Sequence, residues 1–248
     1  MSQVNLVLDK LKEINEQKGE NIFLPSLGKK VKFRPFTLKQ QKFILSKIPN
    51  DTSGLLSFFN NFNDVIIENC TIPLKLENLN SFDRLSVLLA YRISAVGNSY
   101  TSGDKKISLT NVTKKIQSAD YKKIFSEKEV KNANYSVVVA IPSLRYDVKI
   151  NNSTINKLKK STTDASLLAE MFNAEILKYL KKVVIFGEEN IVLDMYDTEY
   201  NDKVNIIDTL PNSVTKKVMN NINIYKKAET DLTTVDNITI DVTNELFS

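Results

Sequence analysis

The sequence predicts an α+β fold. It combines an N-terminal hairpin and helices, a central β segment with a polar insertion, and C-terminal helices with a closing β segment. Three observations carry that prediction. Hydrophobic spacing alternates along the chain between a helical period and a period of two. The changes of period fall at residues that turn the chain or start a helix, namely Gly28, Pro35 with Thr37, Gly97 and Gly187. Hydrophobic residues at 42% and charged residues at 25% are the proportions of a globular chain, and 248 residues suffice to bury a core.

The first segment, MSQVNLVLDKLKEINEQ, is too polar for a signal peptide and reads as a short amphipathic helix, with Val4, Leu8, Leu11 and Ile14 on one stripe. LPSLGKKVKFRPFTLKQQKFIL reads as a hairpin that feeds a helix. Phe23 and Leu24 end one strand, Pro25 to Gly28 turn, and Val31 and Phe33 alternate with Lys30, Lys32 and Arg34. Pro35 cannot continue a paired strand, and Thr37 with Gln40 makes a capping box. A second helix carries Leu55, Phe58, Phe62 and Ile66 at helical spacing. A third starts at Asn80 or Ser81 and stops at Gly97.

Residues 98 to 133 are polar and Lys-rich, with ISLTNV as the one strand-like piece. NYSVVVAIPSLRYDVKI predicts one or two strands. From Thr163 the period is helical, with Leu168, Phe172, Ile176 and Tyr179 on one face. VVIFGEENIVLDM predicts a hairpin turning at Gly187. Two short helices follow, broken at Pro211, with Val214, Val218, Ile222 and Tyr225 on a stripe of the second, and TTVDNITIDV closes as a strand. The chain divides at 1–97, 98–133 and 134–248, read together as one compact unit. ISLTNVTKKI and ITIDVTNELF look alike, but two short segments do not establish a repeat.

Composition excludes several chemistries. With no His, a Ser-His-Asp triad, an HExxH metalloprotease and a His-ligated metal are out. Cys70 alone forms no internal disulfide and no Cys-rich zinc site, and reads as a small buried residue. No apolar run is long enough to span a bilayer, so no membrane insertion is expected. The net charge is +5, but 30 of the 34 basic residues are Lys, and Arg, the residue of bidentate phosphate contacts, occurs four times. Together with 27 Asn, this is as much the mark of an AT-rich genome as of a basic function.

SLGKK is not a Walker loop: Phe23 stands where the first Gly belongs and Lys30 where Ser or Thr belongs. EENIVLDMYDTEYND gathers Glu188, Glu189, Asp194, Asp197, Glu199 and Asp202 in no EF-hand spacing, and acids before a helix favour its dipole. The stretch 104–131 has eight Lys interleaved with Tyr121 and Phe125. It can be read as a phosphate-tracking segment, or as a solvated surface, the reading preferred because Arg is scarce.

Several segments in order resemble the T4-type phage baseplate hub subunit family. They are the LPS-x-G turn, the basic strand and RPF of LPSLGKKVKFRPF, then VIIENCT, DRLSVLLAYRISAVG, the Pro-ended strand VVVAIPSLR, LPNSVTKKVMNNI and a closing ELF. The C-terminal module is shorter than that pattern, and Ala228-Glu229 stands where it has a proline-containing approach. The resemblance implies a baseplate hub subunit or hub assembly factor of a contractile-tailed phage, with no enzymatic activity and no cofactor or metal. It implies other hub and tail proteins as partners, and a place in the virion tail and in the host cytoplasm during assembly. Gly28, Arg34, Pro35 and Thr37 are then a structural motif. Leu8, Leu11, Leu246 and Phe247, near the two ends where docking is optional for folding, are the candidate interface. The alternative is a Lys-rich phage protein that binds nucleic acid; a carboxylate enzyme is a weaker third.

Overall fold

The structure, a computed structural model, describes residues 3–45 and 52–240. Helix α1 (Gln3–Gln17) precedes a hairpin of β1 (Glu20–Leu24) and β2 (Lys29–Phe33). Alternation decides its faces: Ile22, Leu24, Val31 and Phe33 are buried, while Lys29 and Lys30 face solvent. Gly28 closes the turn at φ +61, a conformation that a Cβ would strain.

Helices α2 (Leu38–Leu45), α3 (Thr52–Asn69) and α4 (Ser81–Val96) follow, with a 3-10 turn at Leu76–Asn78. In α3 the buried stripe starts at Leu56 rather than at Leu55, which is half-buried, and continues through Phe58, Phe62 and Ile66. Asn80 caps α4. Its side chain accepts from Phe82 N, and Asp83 returns a bond from Asn80 N at 2.7 Å. Gly97, at φ +102, ends the helix.

The next region is β3 (Ser99–Ser102), β4 (Lys105–Ser108), α5 (Leu109–Ser118), the single turn α6 (Tyr121–Ile124) and β5 (Lys128–Lys131). The expected strand ISLTNV therefore ends at Ser108, and LTNV opens α5. Leu109, Val112 and Ile116 at spacings of three and four give that helix a buried face.

Strand β6 (Tyr135–Val139) leads to α7 (Leu144–Leu158) and α8 (Asp164–Tyr179). LRYDVKI is thus helix rather than strand: after Pro142, the Ser143 side chain accepts from Tyr146 N and caps α7. In α8, capped by Thr163, the expected face is split. Ile176 is buried, but Leu168 is 67% exposed and Phe172 47%; in its first half the helix turns Leu167, not Leu168, onto Leu56, Ile155 and Leu158.

Strands β7 (Leu180–Ile185) and β8 (Ile191–Asp194) form the hairpin over Gly187. Helix α9 (Tyr200–Thr209) and helix α10 (Asn212–Thr233) meet at Pro211, and α10, at 22 residues, is not short. Val214, Val218, Ile222 and Tyr225 form its buried stripe. The closing segment is a hairpin rather than one strand, β9 (Thr234–Val235) and β10 (Ile238–Thr239). Asp236 and Asn237, both at positive φ, make its tight turn.

The central sheet runs β5-β6-β7-β8, antiparallel throughout, with α7 and α8 inserted between β6 and β7. Three large hydrophobic clusters and a small one, of Leu56, Ile155 and Leu158, form the core among the described residues. One lies between the first hairpin, α3 and α4; a second between the sheet and α7 to α10; a third around α4, α5 and the β3–β4 hairpin. Tyr100, Ile107, Leu109, Val112 and Ile116, all from the polar stretch 98–133, belong to the third. No described helix is long and apolar enough to cross a membrane.

Candidate interaction surface

The RPFT segment is a knot. Arg34 N donates to Asn69 O at 2.8 Å, and the Arg34 guanidinium donates to Glu68 O, fastening the end of β2 to the end of α3. Pro35 and Phe36 carry the chain off the strand, and Phe36 stacks on Tyr91 of α4 with ring centroids 5.0 Å apart. Thr37 and Gln40 then cap α2 reciprocally, Gln40 N to Thr37 Oγ1 at 3.3 Å and Thr37 N to Gln40 Oε1 at 3.0 Å. Inside the knot, Gln40, Asn69 and Tyr91 satisfy one another: Gln40 donates to Asn69 at 2.7 Å, and Asn69 donates to the Tyr91 hydroxyl at 3.0 Å. These buried polar groups are paired, so the network holds α2, α3 and α4 in one arrangement.

Beside the knot lies α1. Its apolar residues Val4, Val7, Leu8, Leu11 and Ile14 are exposed, Leu8 at 50% and Leu11 at 51%. Ion pairs Lys10–Glu13 at 2.8 Å and Lys12–Asp9 at 3.6 Å run along its exposed surface. Lys12 and Asn15 meet Arg34, Pro35, Thr37, Lys39 and Phe43 across an open cleft of about 560 Å³. Leu8 and Leu11 are exposed and are not among the residues that line this cleft. Gly28 sits apart from the cleft, at the hairpin turn. Leu246 and Phe247 lie outside the described residues.

The features that sequence reasoning missed are ionic and buried. Asp147 accepts from Arg84 at 2.7 Å and lies 3.1 Å from Lys178 Nζ, joining α4, α7 and α8. Burial alone would raise its pKa, but the charges of Lys178 and Arg84 outweigh burial and hold it at about 2. Asp83 accepts from Ser26 N at 2.9 Å as well as from Asn80 N, so one carboxylate ties the first hairpin's turn to α4. Burial pushes it up to about 6 against those two donors. Lys203 donates to the Tyr146 hydroxyl at 3.0 Å, and burial, with Lys149 nearby, lowers it to about 8. Only Asp83, three residues after a capping Asn, left a local signal.

Two lysines of the Lys-rich stretch are engaged at separate places in the fold. Lys115 Nζ donates to Asp231 O at 2.5 Å and to Thr234 O at 2.8 Å, closing the end of α10. Lys131 lies over the Phe186 ring. Asp194 accepts from Tyr196 N, and Glu199 stands at the start of α9, so these acids serve turns and helix ends. Among the described residues no group of three Cys, Asp or Glu side chains is placed to hold a metal ion.

The family model described as T4 bacteriophage base plate protein matches residues 19–247, most of the chain. No curated protein and no solved structure matches it significantly.

Proposed function

This chain belongs to the T4 bacteriophage base plate protein family, a family of structural proteins of the phage tail, and from that premise we propose that it is a baseplate hub subunit or hub assembly factor. It acts by binding other hub and tail proteins, without catalysis and without a cofactor. The observation that carries this reading is α1, a 15-residue helix whose five aligned apolar side chains are all at least 42% exposed. A row of large apolar groups on a helix surface marks a protein contact. Residues 4, 7, 11 and 14 keep the three-four spacing of a coiled-coil seam, so the surface it fits is another helix. Leu246 and Phe247 are the second candidate contact.

The test is co-purification with the phage's hub proteins. Leu8→Asp with Leu11→Asp leaves the melting temperature nearly unchanged, because neither side chain is in the core, and abolishes hub binding. Phe247→Ala is scored in the same way. Retained binding would remove the interface, and a large fall in melting temperature with binding retained would make these residues ordinary core.

A further inference from the structure

The two edges of the central sheet are unlike. β5 reads Lys-Glu-Val-Lys with Glu129 and Lys131 exposed, the charge protection that keeps an edge from recruiting a stray strand. β8 reads Ile-Val-Leu-Asp and has no lysine and no proline. Ile191 is 67% exposed and Val192 60%, and Ile185, paired with Ile191 on β7, is exposed too.

The ladder decides which backbone groups are spare. Met195 N donates to Lys181 O, so the alternation of an antiparallel pair turns the N–H and C=O of Leu193 and Ile191 toward β7. Those of Val192 and Asp194 point outward, and among the described residues no strand lies beyond them.

We infer that the outer edge of β8 is a docking site for an extended segment of another protein, rich in β-branched residues and flanked by lysines. Main-chain hydrogen bonds to Val192 and Asp194 would hold such a segment. Its charge follows from the flanks: Glu188 and Glu189 precede the strand, Asp194 and Asp197 end it, and all four are exposed. The same flanks oppose a second copy. Antiparallel self-pairing that sets Val192 against the outward-facing Asp194 also sets Glu189 against Asp197. Head-to-tail continuation of the row Glu129–Val138–Lys182–Asp194 sets Glu129 against Asp194. This surface is distinct from α1 and does not depend on the hub assignment.

The experiment titrates the full chain with labelled peptides KVTVKK and EVTVEE, read by fluorescence anisotropy and by the amide signals of Val192 and Asp194. The basic peptide binds the wild type at least about tenfold more tightly than the acidic one. Val192→Pro removes an outward N–H and leaves the β7 ladder intact, as its melting curve checks; it weakens binding about tenfold or more, while Val192→Thr does not. Binding unaffected by Val192→Pro, a preference for the acidic peptide, or no saturable binding of either overturns the inference. So does a dimer of the chain that Val192→Pro dissolves, since the occupant would then be a second copy.

Discussion

Arg84 donates to the Asp147 carboxylate across 2.7 Å, and the two residues stand 63 positions apart in the chain. That pair, with Lys178, fastens the N-terminal helices to the helices that cover the central sheet. Breaking it from the acid side strands two cations in the interior. Asp147→Asn should therefore cost about 3–5 kcal/mol in urea unfolding, more than an exposed pair such as Lys10–Glu13 would. A loss under about 1 kcal/mol would show that water reaches the site.

The same group shapes acid stability. Asp147 titrates near 2 in the fold and near its ordinary 3.8 in the unfolded chain. Its ionised form stabilises above pH 3.8, and that contribution is lost as pH falls toward 2. Stability measured from pH 5 down to 2 should fall less steeply in Asp147→Asn than in the wild type.

Asp83 has the opposite sign. Its folded value of about 6 lies above 3.8, so its contribution is fully present below pH 3.8 and fades as pH rises through 6. Asp83→Asn loses an acceptor for Ser26 N or Asn80 N and costs about 1–3 kcal/mol. It should also flatten the stability profile between pH 4 and 7. An unchanged slope there would show that Asp83 titrates normally.

At the knot, Thr37→Ala should cost about 1 kcal/mol and Thr37→Asn much less, because Asn also caps. Gly28→Val should cost more than Gly28→Ala, since φ is positive and branching at Cβ adds to the strain. Calorimetric melting of the four variants decides both.

The Lys-rich stretch separates nucleic-acid binding from assembly. Replacing Lys114, Lys122 and Lys123 by Gln should leave stability unchanged, whereas Lys115→Gln should lower the melting temperature by opening the end of α10. Duplex and single-stranded DNA should bind negligibly near physiological salt. Tight, salt-sensitive binding abolished by the four substitutions together would favour a nucleic-acid-binding protein.

Much of the fold was legible because it is local. Thr37 with Gln40, Asn80 and Gly97 mark helix ends within four residues of themselves, and the α10 stripe keeps its period. What failed was relational. The spacing of Leu168, Phe172 and Ile176 identifies an amphipathic helix but not which of its residues rest on the body. LTNV and LRYDVKI, short and partly β-branched, took the state that their buried partners selected. Arg84 and Asp147 carry no mutual signal across 63 positions, and an open strand edge depends on strand order, which alternation along one strand does not encode.

The insertion of α7 and α8 between β6 and β7 also sets a timetable. β7 must cross two helices to reach β6, a distant pairing that closes late. The outer face of β8 becomes a rigid ladder only once β7 is seated. If the outer edge of β8 takes a partner's strand, a chain still maturing would have no finished rail there and could not engage it until its own interior is complete. Assembly order would then be enforced by each subunit's folding, with no separate inspector.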